Sequence, residues 1–224
     1  MATQVFSLRQ GEPQKLKLEW KGRWKGDWKN LTVSLDGDVI GNLSSRRILE
    51  TGQEFTLNNG SVLKFKLSRN FWNVEDLQIL IDGEPVSGTN LDPNTQLKGA
   101  YSSIFVIAGF NLAFGIAAVT FKIEVFGGLT GGVITLFYAS VMILLGFLVM
   151  KQKSLIALGF ATAIFSIDTV LVFMDIILNI SNVVKPSFNA GVFVPVATIR
   201  GALLSSLFQG FSAITELRRR HSSV

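Results

Sequence analysis

Before residue 93, apolar and polar positions alternate along the chain, as in Lys15-Leu16-Lys17-Leu18-Glu19-Trp20, Leu31-Thr32-Val33-Ser34-Leu35, Val62-Leu63-Lys64-Phe65-Lys66-Leu67 and Leu77-Gln78-Ile79-Leu80-Ile81. A period of two gives each segment one apolar and one wet face, which predicts antiparallel strands. Turn formers separate the segments at Asp36-Gly37, Asn58-Asn59-Gly60, Asp82-Gly83 and Gly88, residue types that tolerate positive φ. About six to eight short strands at this spacing predict a small β-sandwich or a partly open barrel.

After residue 99 the alternation stops. Four apolar runs follow, at 100–121, 128–150, 154–181 and 187–214, separated by short polar or glycine-rich breaks. A hydrocarbon core about 30 Å thick needs about 20 apolar residues rising 1.5 Å each, and every run is long enough. The expected fold class is therefore α+β, an N-terminal all-β sandwich or partly open barrel followed by a four-helix transmembrane bundle. The expected division is a cytosolic β domain at 1–92, a polar linker at 93–99, the membrane domain at 100–217 and a basic tail at 218–224.

Charge is divided as unevenly as hydropathy. Residues 1–99 hold 13 of the 21 Lys and Arg and 12 of the 16 Asp and Glu, so this part is nearly neutral. The later excess sits at the ends of the apolar runs, at Lys151, Lys153, Arg218, Arg219 and Arg220. Juxtamembrane Lys and Arg set orientation, so this bias predicts both termini on the cytoplasmic side and membrane lipid, not nucleic acid, as the partner of the basic residues. The first ten residues contain no apolar stretch of a secretory signal, which agrees with a cytosolic β domain. The Arg218, Arg219 and Arg220 run is the expected headgroup contact, at about 1 kcal/mol per basic residue on an anionic surface.

Trp20, Trp24 and Trp28 are interleaved with Lys21, Arg23, Lys25 and Lys29. Gly22 and Gly26 interrupt any helix there, so the segment is expected to be two strand ends joined by a loop. Trp20 and Trp28 are expected in the sandwich core. Trp24, with Lys21, Arg23 and Lys25, is the candidate for lipid or partner contact, with base stacking as a weaker alternative.

The patterns VSLDGDVIGNL, LNNGSVLKFKL and LQILIDGEPVSGTNLDP, within residues 20–93, resemble a recurring β domain of uncharacterised cyanobacterial four-span membrane proteins. More distantly they resemble the β fold of the Fas apoptosis inhibitory molecule. The resemblance implies a non-enzymatic β module beside a helical membrane domain, in a bacterial plasma membrane or a thylakoid, and carries over no functional residue.

Within the apolar runs, small residues recur four apart, as Gly127 with Gly131, Gly128 with Gly132, Gly201 with Ser205 and Ser206 with Gly210, and such residues let helices approach closely. Three charges also lie there. Asp168 and Asp175 are seven apart, on one helical face, and Arg200 is in the last run. A hairpin turning near Val184 and Lys185 places Asp168 and Arg200 sixteen residues to either side, at one depth. A lone charge at mid-bilayer costs at least about 2.5 kcal/mol, so the two are expected to pair. Asn111 and Asn179 are candidates to extend the cluster, with Thr198 and Gln209, if their helices turn inward. Such a string serves either a structural ion pair or a proton or ion path. The same symmetry sets Glu216 beside Gln152, between Lys151 and Lys153, where a surface salt bridge worth under about 1 kcal/mol is expected.

Catalytic chemistry has little to build on. There is no cysteine, and the one histidine, His221, stands four residues from the end, so thiolate chemistry, Ser-His-Asp triads and His-rich metal sites lack their central residue. No GxxxxGK[ST] motif is present. The pairs Asp36/Asp38 and Glu75/Asp76 fall at turns or strand ends, where Asp commonly bonds backbone. No enzyme activity, cofactor or metal is expected. The expected role is membrane anchorage of an interaction module, with a protein partner or homo-oligomer, and the alternative is an oligomeric transporter or channel subunit.

Overall fold

The computed structural model describes residues 2–8, 14–21, 30–69, 75–122, 128–182 and 190–222. They fall into two compact units, Met1–Thr95 and Gln96–Val224. In the first, β1 (Ala2–Ser7), β2 (Lys15–Trp20), β3 (Leu31–Leu35) and β4 (Asp38–Leu43) form one antiparallel sheet in chain order. Helix α1 (Arg46–Thr51) leads to a second sheet of β5 (Gln53–Thr56), β6 (Val62–Arg69), β7 (Glu75–Ile81) and β8 (Glu84–Pro85).

The alternating pattern decides what each sheet buries. Leu16, Leu18, Leu31, Val33, Leu63, Phe65 and Ile79, from both sheets, share one core. Side chains of this size contribute about 1.5–3 kcal/mol each when removed from water. The sheets stay separate except for an isolated bridge between Ser7 and Ser87, so the unit is a two-sheet sandwich and not a barrel. Two hairpins close on matching turns. Asp36 and Gly37 have φ of 53° and 102°, and Asp82 and Gly83 have 51° and 84°, the type I′ geometry whose twist suits adjoining strands. The carboxylate of Asp36 accepts from Lys15 N, and that of Asp82 from Val62 N, both at 2.8 Å.

Helix α1 begins at Ser45, whose hydroxyl accepts from Arg47 N at 3.2 Å, and stops at Gly52, φ 87°. A bulge shifts the β3–β4 register between Val33 and Ser34. Next to it, the Phe55 ring occupies the space that a Cβ on Gly41 would need.

The second unit is helical: α2 (Pro93–Phe121), α3 (Gly128–Gln152), α4 (Leu155–Asn182) and α5 (Ala190–Ser222). The 93–99 stretch, expected as a linker, is helix. Proline is favoured at the first helical position because its φ is already helical and its missing N–H costs nothing there. Asp92 caps that turn, accepting from Asn94 N at 3.1 Å and from the Thr95 hydroxyl at 3.2 Å.

Pro93–Phe121, Leu129–Gln152 and Leu155–Met174 are long and apolar enough to cross a bilayer. Among the described residues α5 is not one of these, so of the four expected spans three are shown. Glycines set how closely the helices approach. A Cβ added at Gly115 would come within 2.8 Å of Leu136, at Gly132 within 2.7 Å of Val119, and at Gly210 within 2.6 Å of the Ala100 Cβ. These contacts place α3 and α5 against α2. Gly132 and Gly210 are the small-residue positions whose close packing is described. Lys153, φ 48°, turns the chain between α3 and α4, and the Ser154 hydroxyl accepts from Ala157 N at 3.2 Å to cap α4. Phe110, Phe114, Phe137, Phe160 and Ile167 remain exposed, the outward apolar surface that a bilayer solvates.

Gly41→Ala is expected to lower the stability of the sandwich by about 1–3 kcal/mol, because the added methyl displaces the half-buried Phe55 ring from its place against the core. Adding Phe55→Leu should recover part of the loss. Tryptophan-fluorescence unfolding curves read both effects, and an unshifted curve for Gly41→Ala would contradict the packing.

Candidate functional site

Helix α4 presents Phe165, Asp168 and Thr169 at i, i+3 and i+4, on one face, and Arg200 of α5 docks on all three. Its Nη1 donates to Asp168 Oδ2 at 2.7 Å and to the Thr169 hydroxyl at 3.1 Å. Its guanidinium carbon lies 5.5 Å from the Phe165 ring centroid, within cation–π range. Thr169 in turn donates to the Phe165 carbonyl at 2.7 Å, so its oxygen both donates and accepts. The side chains of Arg200 and Asp168 are 21% and 34% exposed. A guanidinium matched this way is neutralised within one turn of the facing helix.

Tyr138 of α3 is a further polar side chain among the helices, its hydroxyl oxygen buried without a hydrogen-bond partner among the described residues. Sequence reasoning missed it, although the same depth arithmetic finds it. The α3–α4 turn is at Lys153, and Tyr138 and Asp168 lie fifteen residues to either side.

Asn111 donates to the Ile107 carbonyl of its own helix at 2.8 Å, the local bond a short polar side chain makes where no other partner is in reach. Thr198 and Gln209 are exposed, not turned inward. The side chains of Asp175 and Asn179 lie outside the described residues. Thr135, Ser140 and Thr162 return their hydroxyl protons to carbonyls of their own helices, as apolar surroundings demand.

At the end of α5, Glu216 pairs with Arg219 at 2.9 Å and Arg220 at 3.2 Å. The expected bridge to Lys151 or Lys153 is thereby replaced, since partners three and four residues along the same helix are nearer than any on a neighbour. Hydrogen bonds from Arg219 and then Arg220 hold the Glu216 carboxyl below the usual carboxylate range. Arg218 instead reaches the Lys153 carbonyl at 3.4 Å, so the depth match between the α3–α4 turn and this part of α5 stands with a different contact.

In the β unit Trp20 is buried, 3% exposed, and Lys21 is exposed. Arg23, Trp24, Lys25 and Trp28 lie outside the described residues. Comparison with family models, curated proteins and solved structures finds no match to this chain.

Arg200→Met should cost about 2–4 kcal/mol, because it strands the Asp168 carboxylate among apolar helices. Adding Asp168→Leu should return much of that loss, since removing both charges removes the unmet one. Chemical unfolding in detergent followed by far-UV circular dichroism compares the two. A double variant as unstable as the single would contradict the pairing. Tyr138→Phe should leave stability unchanged or raised, and a loss above about 1 kcal/mol would reveal a bond to that hydroxyl.

Proposed function

We propose that this chain is an integral membrane protein that anchors a cytosolic β-sandwich interaction module at the bilayer, as an assembly or scaffold component of a membrane complex. The observation that carries this reading is the closed Arg200–Asp168 pair. An ion path needs charges that exchange partners, whereas this pair is bonded on one helical turn together with Thr169 and stacked on Phe165. Its evident use is to fix α5 against α4.

The same contacts favour α5 as a fourth span. Its arginine is neutralised by α4, and Gly210 packs on Ala100 of α2 and Leu158 of α4. With four spans, Lys98, Lys151, Lys153 and Arg218 to Arg220 gather at one end of the helices, and the positive-inside bias then places both termini in the cytoplasm. Arg218, Arg219 and Arg220 sit where anionic headgroups lie. The cyanobacterial resemblance favours a plasma or thylakoid membrane. The segment with Lys21, Arg23, Trp24 and Lys25 is the part of the module assigned to a protein partner or the lipid surface, and the chain is read as non-enzymatic.

Purification from native membranes in mild detergent tests this. A protein is expected to accompany the wild-type chain at fixed stoichiometry and to be lost from a Trp24→Ala/Lys25→Glu variant. Proteoliposomes holding the purified chain should conduct no more than empty ones. Ion flux that falls in Asp168→Asn while the protein still folds would instead establish the transporter alternative.

A further inference from the structure

The two sheets repeat one another strand for strand. Gln4-Val5-Phe6-Ser7-Leu8 matches Gln53-Glu54-Phe55-Thr56-Leu57, Leu16-Lys17-Leu18 matches Leu63-Lys64-Phe65, and LTVSLDG from Leu31 matches LQILIDG from Leu77. The offset is 49 residues at Phe6 and Phe55, 47 at Leu16 and Leu63, and 46 at Asp36 and Asp82. The connections therefore differ by only three residues across the whole match.

Register agrees as well as sequence. Phe6 pairs with Leu16 and Leu16 with Leu35; Phe55 pairs with Leu63 and Leu63 with Ile81. Leu18 opposes Val33 as Phe65 opposes Ile79. Leu35 opposes Asp38 as Ile81 opposes Glu84. The turn chemistry is duplicated too. Asp36 N donates to Lys15 O, and Asp82 N to Val62 O, both at 2.9 Å, beside the carboxylate bonds to the same two residues. Leu8 N reaches Gln14 O as Leu57 N reaches Ser61 O.

Alternation alone places apolar residues at every second position of any strand. It does not dictate equal connections, an aspartate at the same turn position bonding the same strand residue, or an aromatic at the same place in both first strands. The first strand of each copy sends its phenylalanine toward the far end of the other. Phe55 of the second sheet lies over Gly41 of the first, and Phe6 of the first lies 3.8 Å from the Cβ position of Gly88, just past the second. Core twins such as Leu16 and Leu63, Leu18 and Phe65, or Val33 and Ile79 keep their apolar character, while outward twins such as Val5 and Glu54, Glu19 and Lys66, or Thr32 and Gln78 have diverged.

We infer that the β unit is an internal duplication, two copies of one four-stranded meander, 2–43 and 53–88, packed face to face about a local two-fold axis as the subunits of a homodimer pack. Each core position in one copy has a twin in the other. The shared constraint is the common core, and what distinguishes one outer face from the other is where the copies differ.

Exchanging twins in the full-length protein tests this. Trp20, Trp24, Trp28 and Trp72, the four tryptophans of the chain, all fall in the β unit, so their fluorescence follows its unfolding selectively. Leu18→Phe overpacks the core and Phe65→Leu leaves a void, so each alone should lower the melting midpoint. The double Leu18→Phe/Phe65→Leu rotates the core about the axis and should return the midpoint to the wild-type value. Val33→Ile/Ile79→Val is a milder exchange of twins and should behave alike. The mismatched Leu31→Phe/Phe65→Leu, which joins positions that are not twins, should stay low. Recovery in either twin exchange with none in the mismatched one supports the duplication. Failure of both twin exchanges, or equal recovery in the mismatched one, overturns it.

Discussion

An arginine among apolar helices needs a counter-charge, and Arg200 meets Asp168 at 2.7 Å. Much of the helical unit follows from that requirement. The guanidinium needs its partner at one depth, which fixes the vertical register of α5 on α4. It needs a second acceptor and an aromatic face, which the same turn of α4 supplies in Thr169 and Phe165. Small residues then let the helices approach, as at Gly115, Gly132 and Gly210, because apolar burial gives no preference between a lipid tail and a leucine. Among the described residues of the helices, specificity comes from shape and from the Arg200–Asp168 pair.

The sandwich is governed by the opposite solvent. There, alternation drives Leu16, Leu18, Phe65 and Ile79 inward, and the two type I′ turns set which residues face each other. Each turn aspartate ties its hairpin to the neighbouring strand, so local turn chemistry and long-range register agree. Gly41 is where that agreement admits no side chain, because the other sheet supplies the ring that fills the space.

How much of this was legible depended on whether the signal was periodic. Strands Lys15–Trp20 and Leu31–Leu35 follow directly from the alternation, and the depth of Asp168 and Arg200 from counting along a hairpin. Strand β1 escaped because a glutamine, Gln4, holds an inward position. Helix α1 escaped because it buries only Leu49. The 93–99 stretch read as linker since polar residues with a proline look alike in a loop and in a capped first turn. Tyr138 gives no charge signal in the sequence, since a lone hydroxyl carries none. Glu216 was misassigned because depth places neighbours without ranking them against partners on the same helix. The repeat was hidden because its outward residues diverged and its identical inward residues are few and set apart by connections of unequal length.

Membrane anchorage and the β module make one account only if α5 shares the bilayer with the three helices long and apolar enough to cross it. The chain has no cysteine, so a single spin label can be placed without altering a native thiol. Ile167 of α4 and Ile199 of α5, each adjoining the ion pair in sequence, are both exposed. Labels at these positions in reconstituted bilayers should both collide with oxygen and be shielded from a water-soluble nickel complex, reporting the same hydrocarbon depth. A label at position 199 that meets the nickel complex freely while one at 167 does not would place α5 in water and contradict the account.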